Sequence, residues 1–198
     1  MGTHLDYANR VEVFIKRGEK KHLFDPQGSG FLGRVIVLML HIPTFFLGYL
    51  LFAPKNFHPF VYSKLKKNNL SRRQGRINSI LKNAKVELND NEIVQFAVIT
   101  DALSFSNGMI FTNYRCIYQL LPSKKTLDIS HPISGEVELA SMGRPILSKK
   151  SLLESVNVKF GDEVLGALDD LKIPNYIEAF LLELYDSVQI ELKAKSSL

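Results

Sequence analysis

The residues of this chain that could do chemistry are few and far apart. The single cysteine, Cys116, lies inside an apolar run with no histidine near it in sequence, and reads as a small packed side chain. The five histidines, His4, His22, His41, His58 and His131, include no pair at i,i+3 or i,i+4, so local spacing assembles no zinc-type ligand set. Asp162-Glu163 and Asp169-Asp170 read as charged faces of a surface helix rather than a metal pair. Gly28-Ser29-Gly30-Phe31-Leu32-Gly33 matches G-x-G-x-x-G, but a dinucleotide site needs a strand before it and an acidic residue about 20 positions later. Neither is present, and the glycines read as a lead-in to the apolar run that follows. Asn69-Leu70-Ser71 is a formal glycosylation sequon, and Met1-Gly2 lacks the Ser/Thr at position 6 that myristoylation needs. With no nucleophile–base set, no metal and no cofactor signature, the chain is expected to be non-enzymatic.

What the sequence does carry is a run that seeks lipid. Val35–Ala53, VIVLMLHIPTFFLGYLLFA, holds 19 residues without a formal charge. As a helix it would be roughly 28 Å long, near the thickness of a bilayer's hydrocarbon core. It is apolar on every face, whereas a surface helix of a small domain keeps a polar stripe. A signal peptide does not fit, because 34 mostly polar residues precede the run and no A-x-A-like site ends it. Within 20 residues of it, Lys16, Arg17, Lys20, Lys21 and Arg34 lie before and Lys55, Lys64, Lys66, Lys67, Arg72 and Arg73 after. Five cations against six leave the orientation nearly balanced under the positive-inside rule. Pro43 near the middle can kink a helix, so a single span and a hairpin that returns to its own side both stay open. Either leaves the C-terminal domain cytoplasmic.

Charge divides the chain. Residues 1–85 hold 15 Lys/Arg against 4 Asp/Glu, and residues 86–198 hold 10 against 16, nets of +11 and −6 that sum to the overall +5. Residues 54–85 contain nine Lys/Arg and no acid. Between Leu70 and Lys85, Ile77, Ile80, Leu81 and Ala84 fall at helical spacing among Arg72, Arg73, Arg76, Lys82 and Lys85. These, with Lys64, Lys66 and Lys67, are the candidate contacts to anionic lipid, each contributing about 1 kcal/mol when held near the surface. Nucleic acid is not an expected partner, since the rest of the chain offers no basic face.

From Val86 the texture changes to short apolar runs broken by turn residues. Strands are expected at Glu92–Thr100, Gly108–Thr112, Arg115–Leu121, Thr126–Ser130, Gly135–Ser141, Arg144–Leu147 and Glu154–Phe160. A short helix is expected over Asp162–Lys172. A longer one follows, with Ile177, Phe180, Leu181, Leu184, Tyr185 and Val188 on one face and Pro174 in its first turn.

Gly108–Tyr118, GMIFTNYRCIY, is similar to the signature of GRAM and bacterial PH-like domains: a glycine, an apolar strand, Thr-Asn-x-Arg, then an apolar-aromatic strand. The resemblance runs from Val86 to near Leu192 and leaves out the first 85 residues. It implies an antiparallel β-barrel capped by a C-terminal helix, in which Gly108, Thr112, Asn113 and Arg115 are architectural and Arg115 braces a neighbouring strand. It also places a lipid-reading loop at Asp101–Asn107, and here that stretch has one acid and no base. Headgroup recognition by the barrel is therefore not expected.

The reading is an α+β chain in four parts: a basic segment 1–34, a membrane segment 35–53, a basic linker helix 54–85, and a PH/GRAM-like domain 86–198 able to fold by itself. Its function is that of a membrane-tethered adaptor docking a protein partner at an anionic surface. Two alternatives stand beside it, a subunit of a larger membrane complex packed through residues 35–53 and, third, a lipid-acting enzyme.

Overall fold

The computed structural model describes residues 4–20, 61–63, 70–102, 105–122, 132–148, 156–168 and 174–197. The apolar run 35–53, the glycine motif at 28–33, the sequon, the expected strand Thr126–Ser130, and Lys64, Lys66 and Lys67 lie outside those residues. Among the described residues no helix is long and apolar enough to cross a membrane.

In chain order the elements are α1 (Ala8–Lys20), β1 (Val61–Ser63), a 3-10 turn (Ser71–Arg73), α2 (Gln74–Ala84), β2 (Val94–Ala102), β3 (Phe105–Thr112), β4 (Arg115–Leu120), β5 (Ile133–Glu138), β6 (Pro145–Ser148), β7 (Val156–Phe160), β8 (Glu163–Leu168) and α3 (Pro174–Ser196). The chain is α+β, with a five-stranded antiparallel sheet, β1-β2-β3-β4-β5, and a three-stranded one, β6-β7-β8.

Two expectations are corrected here. Among the described residues the sheets do not close into a barrel. They are joined where Leu121 and Ala167 exchange backbone hydrogen bonds of 2.9 and 2.8 Å, while β5 pairs with β4 alone among the described strands. Exposed Glu136 and Glu138 on β5 are the kind of charged edge that discourages further pairing. The second correction is β8, which stands where a helix was expected over Asp162–Lys172. Phe160 pairs with Glu163 across a two-residue turn, Gly161-Asp162, and Gly161 has φ +61°, which a residue without Cβ adopts at little cost.

The central strands β2–β4 of the large sheet are covered on both faces, which is why β2 and β4 are rich in apolar residues. One face of β2–β4, with Phe96, Val98, Met109, Phe111, Cys116 and Tyr118, looks into the main core. There Phe180 of α3 meets Phe96 edge-on at a 5.5 Å ring separation, with Phe111 at 6.1 Å. The opposite face, with Ala97, Ile99, Ile110 and Ile117, is covered by Ile77 and Ile80 of α2.

The main core draws on chain from both sides of Val86. Leu5, Tyr7, Ala8, Val11, Ile15 and Val61 pack in it beside residues of the sheets and α3. In α1 the buried positions 8, 11 and 15 recur at helical spacing, so the helix presents one apolar face inward. Helix α1 lies along α3: Lys195 donates to the His4 carbonyl, and the charge of Arg17 acts on Glu183.

Candidate functional site

The Thr-Asn-x-Arg sequence falls at the β3–β4 turn, and its side chains form one connected polar cluster. Thr112 Oγ1 accepts from the backbone N–H groups of Tyr114 (3.1 Å) and Arg115 (3.0 Å), which shapes the turn. The same hydroxyl donates to Glu92 Oε1 at 2.7 Å. Asn113 clamps the segment before β2, accepting from Ile93 N–H at 2.8 Å and donating to the Asn91 carbonyl at 2.9 Å.

Arg115 faces inward along the turn rather than out to solvent. Nε and Nη2 hold Glu92 through both carboxylate oxygens at 2.9 and 2.7 Å, a bidentate pair. Nη1 reaches Glu136 on β5 at 2.5 Å, and Nη2 also donates to the Glu87 carbonyl at 2.8 Å. The guanidinium thus ties the α2–β2 connection to β4 and β5. Burial alone would raise the Glu92 carboxyl, but hydrogen bonds from Arg115, Thr112 and Asn89 outweigh it and hold the group below its ordinary range. Hydrogen bonding to Glu92 raises Arg115 further.

Gly108 has its own reason to be glycine. A Cβ built there would lie 2.2 Å from the Val98 carbonyl oxygen, so the β2 and β3 backbones leave no room for a side chain.

The turn also receives the N-terminal segment, which sequence reasoning did not place there. Leu5 N–H donates to the Asn113 carbonyl at 2.9 Å, and the buried Tyr7 hydroxyl donates to the Thr112 carbonyl at 2.6 Å. His4 stands edge-on to Tyr114 at a 5.7 Å ring separation, and the Tyr7 and Phe96 rings lie 6.1 Å apart. The i,i+4,i+8 spacing of Tyr7, Val11 and Ile15 was the available signal.

The basic helix is an integral element of the domain. Its apolar residues Ile77 and Ile80 are buried against the sheet, so they are not available to lipid. What α2 and the preceding turn offer outward is the charged side. Lys82 and Lys85 are exposed, and Arg73 and Arg76 are half-buried. The sheet strands absorb most of Asp101–Asn107, with Ala102 pairing with Phe105. Elsewhere, β6–β8 expose Ile146 and Val164 on either side of Lys159 in register.

Cys116 is fully buried and its thiol is pushed far up by desolvation, which keeps it protonated and unreactive. Among the described residues no group of three or more His, Cys, Asp or Glu gathers as a metal site would require. Comparison with protein-family profiles, with curated proteins and with solved structures returns no match to this chain.

Proposed function

We propose that the chain is a membrane-tethered PH/GRAM-like adaptor that holds a protein-docking domain at an anionic membrane surface. The observation that carries this reading is the uncharged 19-residue run Val35–Ala53 set between basic flanks and inserted into a folded α+β domain. Two antiparallel sheets followed by a C-terminal helix, with the Gly108–Tyr118 motif at the β3–β4 turn, support the PH/GRAM-like assignment. Arg115 is engaged by two carboxylates, which supports an architectural role for the motif. The basic side of the Ser71–Lys85 region is the lipid contact, and the face of the small sheet that exposes Ile146 and Val164 is a protein-facing surface. The domain faces the cytoplasm in this reading, and no cofactor is needed.

Vesicle binding by the full chain tests the assignment of the lipid contact. Arg72, Arg73 and Arg76 changed together to Gln should weaken binding to phosphatidylserine vesicles by up to about 3 kcal/mol, at about 1 kcal/mol per surface-held charge. Raising salt should mimic the loss, because the attraction decays over about 8 Å at physiological ionic strength. Circular dichroism of the triple variant controls for folding. If instead Lys124, Lys125, Lys149 and Lys150 carry the binding, or one phosphoinositide is strongly preferred, the sheet domain reads the lipid and the assignment is reversed.

A further inference from the structure

Among the described residues, the exposed cations of the basic half of the chain belong to two helices, and the large sheet stands between them. Helix α2 covers one face of β2–β4 through Ile77 and Ile80. Helix α1 sits on the other side, where Ala8, Val11 and Ile15 share the main core with Phe96 and Phe180. Lys82 and Lys85 are exposed on the α2 side, and Arg10, Lys16 and Arg17 on the α1 side. At roughly 10 Å per packed layer, the two groups are about 20 Å apart. Attraction to a charged surface decays over about 8 Å at physiological salt. A flat anionic surface touching one group therefore attracts the other about a tenth as strongly.

The surroundings of the two groups differ. No acid lies between Leu70 and Val86, and the first beyond α2 is Glu87. On β5, which α2 also approaches, Glu136 is held by Arg115 and Glu138 stands opposite Arg115 in register. On the other side, exposed Asp6 precedes α1 and the charge of Arg17 acts on Glu183 of α3, with exposed Asp186 acting on the same carboxyl. The cations of α1 are thus offset by carboxylates packed beside them. Those of α2 have none on their own helix.

We infer that the domain rests on anionic lipid in a single orientation, with α2 against the headgroups and α1, α3 and the small sheet turned away. The inference deepens the lipid-contact reading above and rests on it. The occupant that fits α2 is a bilayer rather than a folded protein. Its exposed side chains, Gln74, Asn78, Lys82 and Asn83, are polar or basic, whereas a protein interface places apolar or aromatic anchors at its centre. The same layering separates the two ends of the adaptor. Val158, Phe160 and Leu165 bring the inner face of the small sheet into the main core. Its outer face, with Ile146, Lys159 and Val164, therefore looks away from α2, and a partner docked there is held clear of the headgroups.

Fluorescence quenching of the full chain on vesicles tests the orientation. Asn83→Cys on α2, Asn9→Cys on α1 and Val164→Cys on the small sheet each replace an exposed residue and carry the same fluorophore. Buried Cys116 stays unlabelled in the folded protein. On vesicles of phosphatidylserine and phosphatidylcholine with nitroxide-bearing headgroups, the Asn83→Cys label should be quenched severalfold more than the other two. Lys82→Gln combined with Lys85→Gln should lower that quenching, and Arg10→Gln combined with Lys16→Gln should leave it unchanged. Equal quenching at all three positions, or stronger quenching at Asn9→Cys or Val164→Cys, overturns the inference. An Asn83→Cys label that responds to soluble polyglutamate and not to vesicles overturns it too, since the occupant is then an acidic protein. If the protein does not bind the vesicles at all, the lipid-contact reading itself has failed, and this inference falls with it.

Discussion

Residues 86–198 expressed without the preceding chain should fail to fold cooperatively, even though they contain seven of the eight described strands and α3. The missing portion removes Leu5, Tyr7, Val11, Ile15 and Val61 from the main core, and Ile77 and Ile80 from the opposite face of the large sheet. Each such side chain stabilises by about 1.5–3 kcal/mol on burial, so their combined loss is at least comparable with the 5–15 kcal/mol typical of a whole domain. Tyr7 isolates the effect in the intact chain. Tyr7→Ala should cost about 3–5 kcal/mol, as large-to-small changes of buried aromatics do. Tyr7→Phe removes only the donor to the Thr112 carbonyl and should cost about 1 kcal/mol. Urea denaturation followed by circular dichroism measures all three. A fragment 86–198 that unfolds cooperatively at the midpoint of the full chain would show that the N-terminal packing is incidental.

Arg115→Met should destabilise the protein by about 3–5 kcal/mol, the range for removing one partner of a buried pair. The Glu92 side chain is 0% exposed and that of Arg115 17%, so solvent screens the pair little. Without the guanidinium, Glu92 would keep only Thr112 and Asn89 as donors. The pH dependence has a definite sign. Because the folded Glu92 carboxyl is held below its ordinary value, its contribution is complete above about pH 4.3, the ordinary range of Glu, and is lost as pH falls through the folded value. Wild-type stability should therefore drop between neutral and acid pH, and Glu92→Gln should flatten part of that drop. Denaturation midpoints at several pH values measure it. A loss under 1 kcal/mol for Arg115→Met at neutral pH would remove the β3–β4 turn from its place as the organiser of this end of the fold.

Much of the fold can be traced to local pattern. The α3 face of Ile177, Phe180, Leu181, Leu184 and Val188 is buried in the main core at the spacing the sequence displays. Strands β2 to β7 lie where alternation or apolar runs place them, within a few residues at their ends. The helix expected over Asp162–Lys172 missed β8 because charges at both ends suggested a solvated helix, whereas Gly161-Asp162 was a usable hairpin signal. The role of α1 was hidden for a different reason. The charge step at Val86 records surface side chains, and a hydrophobic core leaves no trace in net charge. Helix periodicity at Ile77 and Ile80 was legible, but periodicity does not say what covers an apolar face. The answer, the outer side of β2–β4, depends on contacts distant in sequence.

Within the turn, the resemblance to GRAM and PH-like domains implied architectural roles for Thr112 and Asn113 and a bracing role for Arg115. Glu92, the partner of Thr112 and Arg115, was not legible, because it lies 20 or more residues away and its alignment depends on the β2–β3 register. Gly108 likewise stood out as part of a motif, and only the approach of the Val98 carbonyl explains why it must lack a side chain.

The tether is the central claim, and carbonate extraction of membranes from cells expressing the full chain tests it most directly. Wild-type protein should remain with the membrane pellet after carbonate washing and be released by detergent. Leu38→Asp and Phe46→Asp, which leave every described residue unchanged, should each shift the protein toward the soluble fraction, since an aspartate in the hydrocarbon centre costs about 2.5–3.5 kcal/mol. Wild-type protein recovered entirely in the carbonate supernatant, without detergent, would contradict the account.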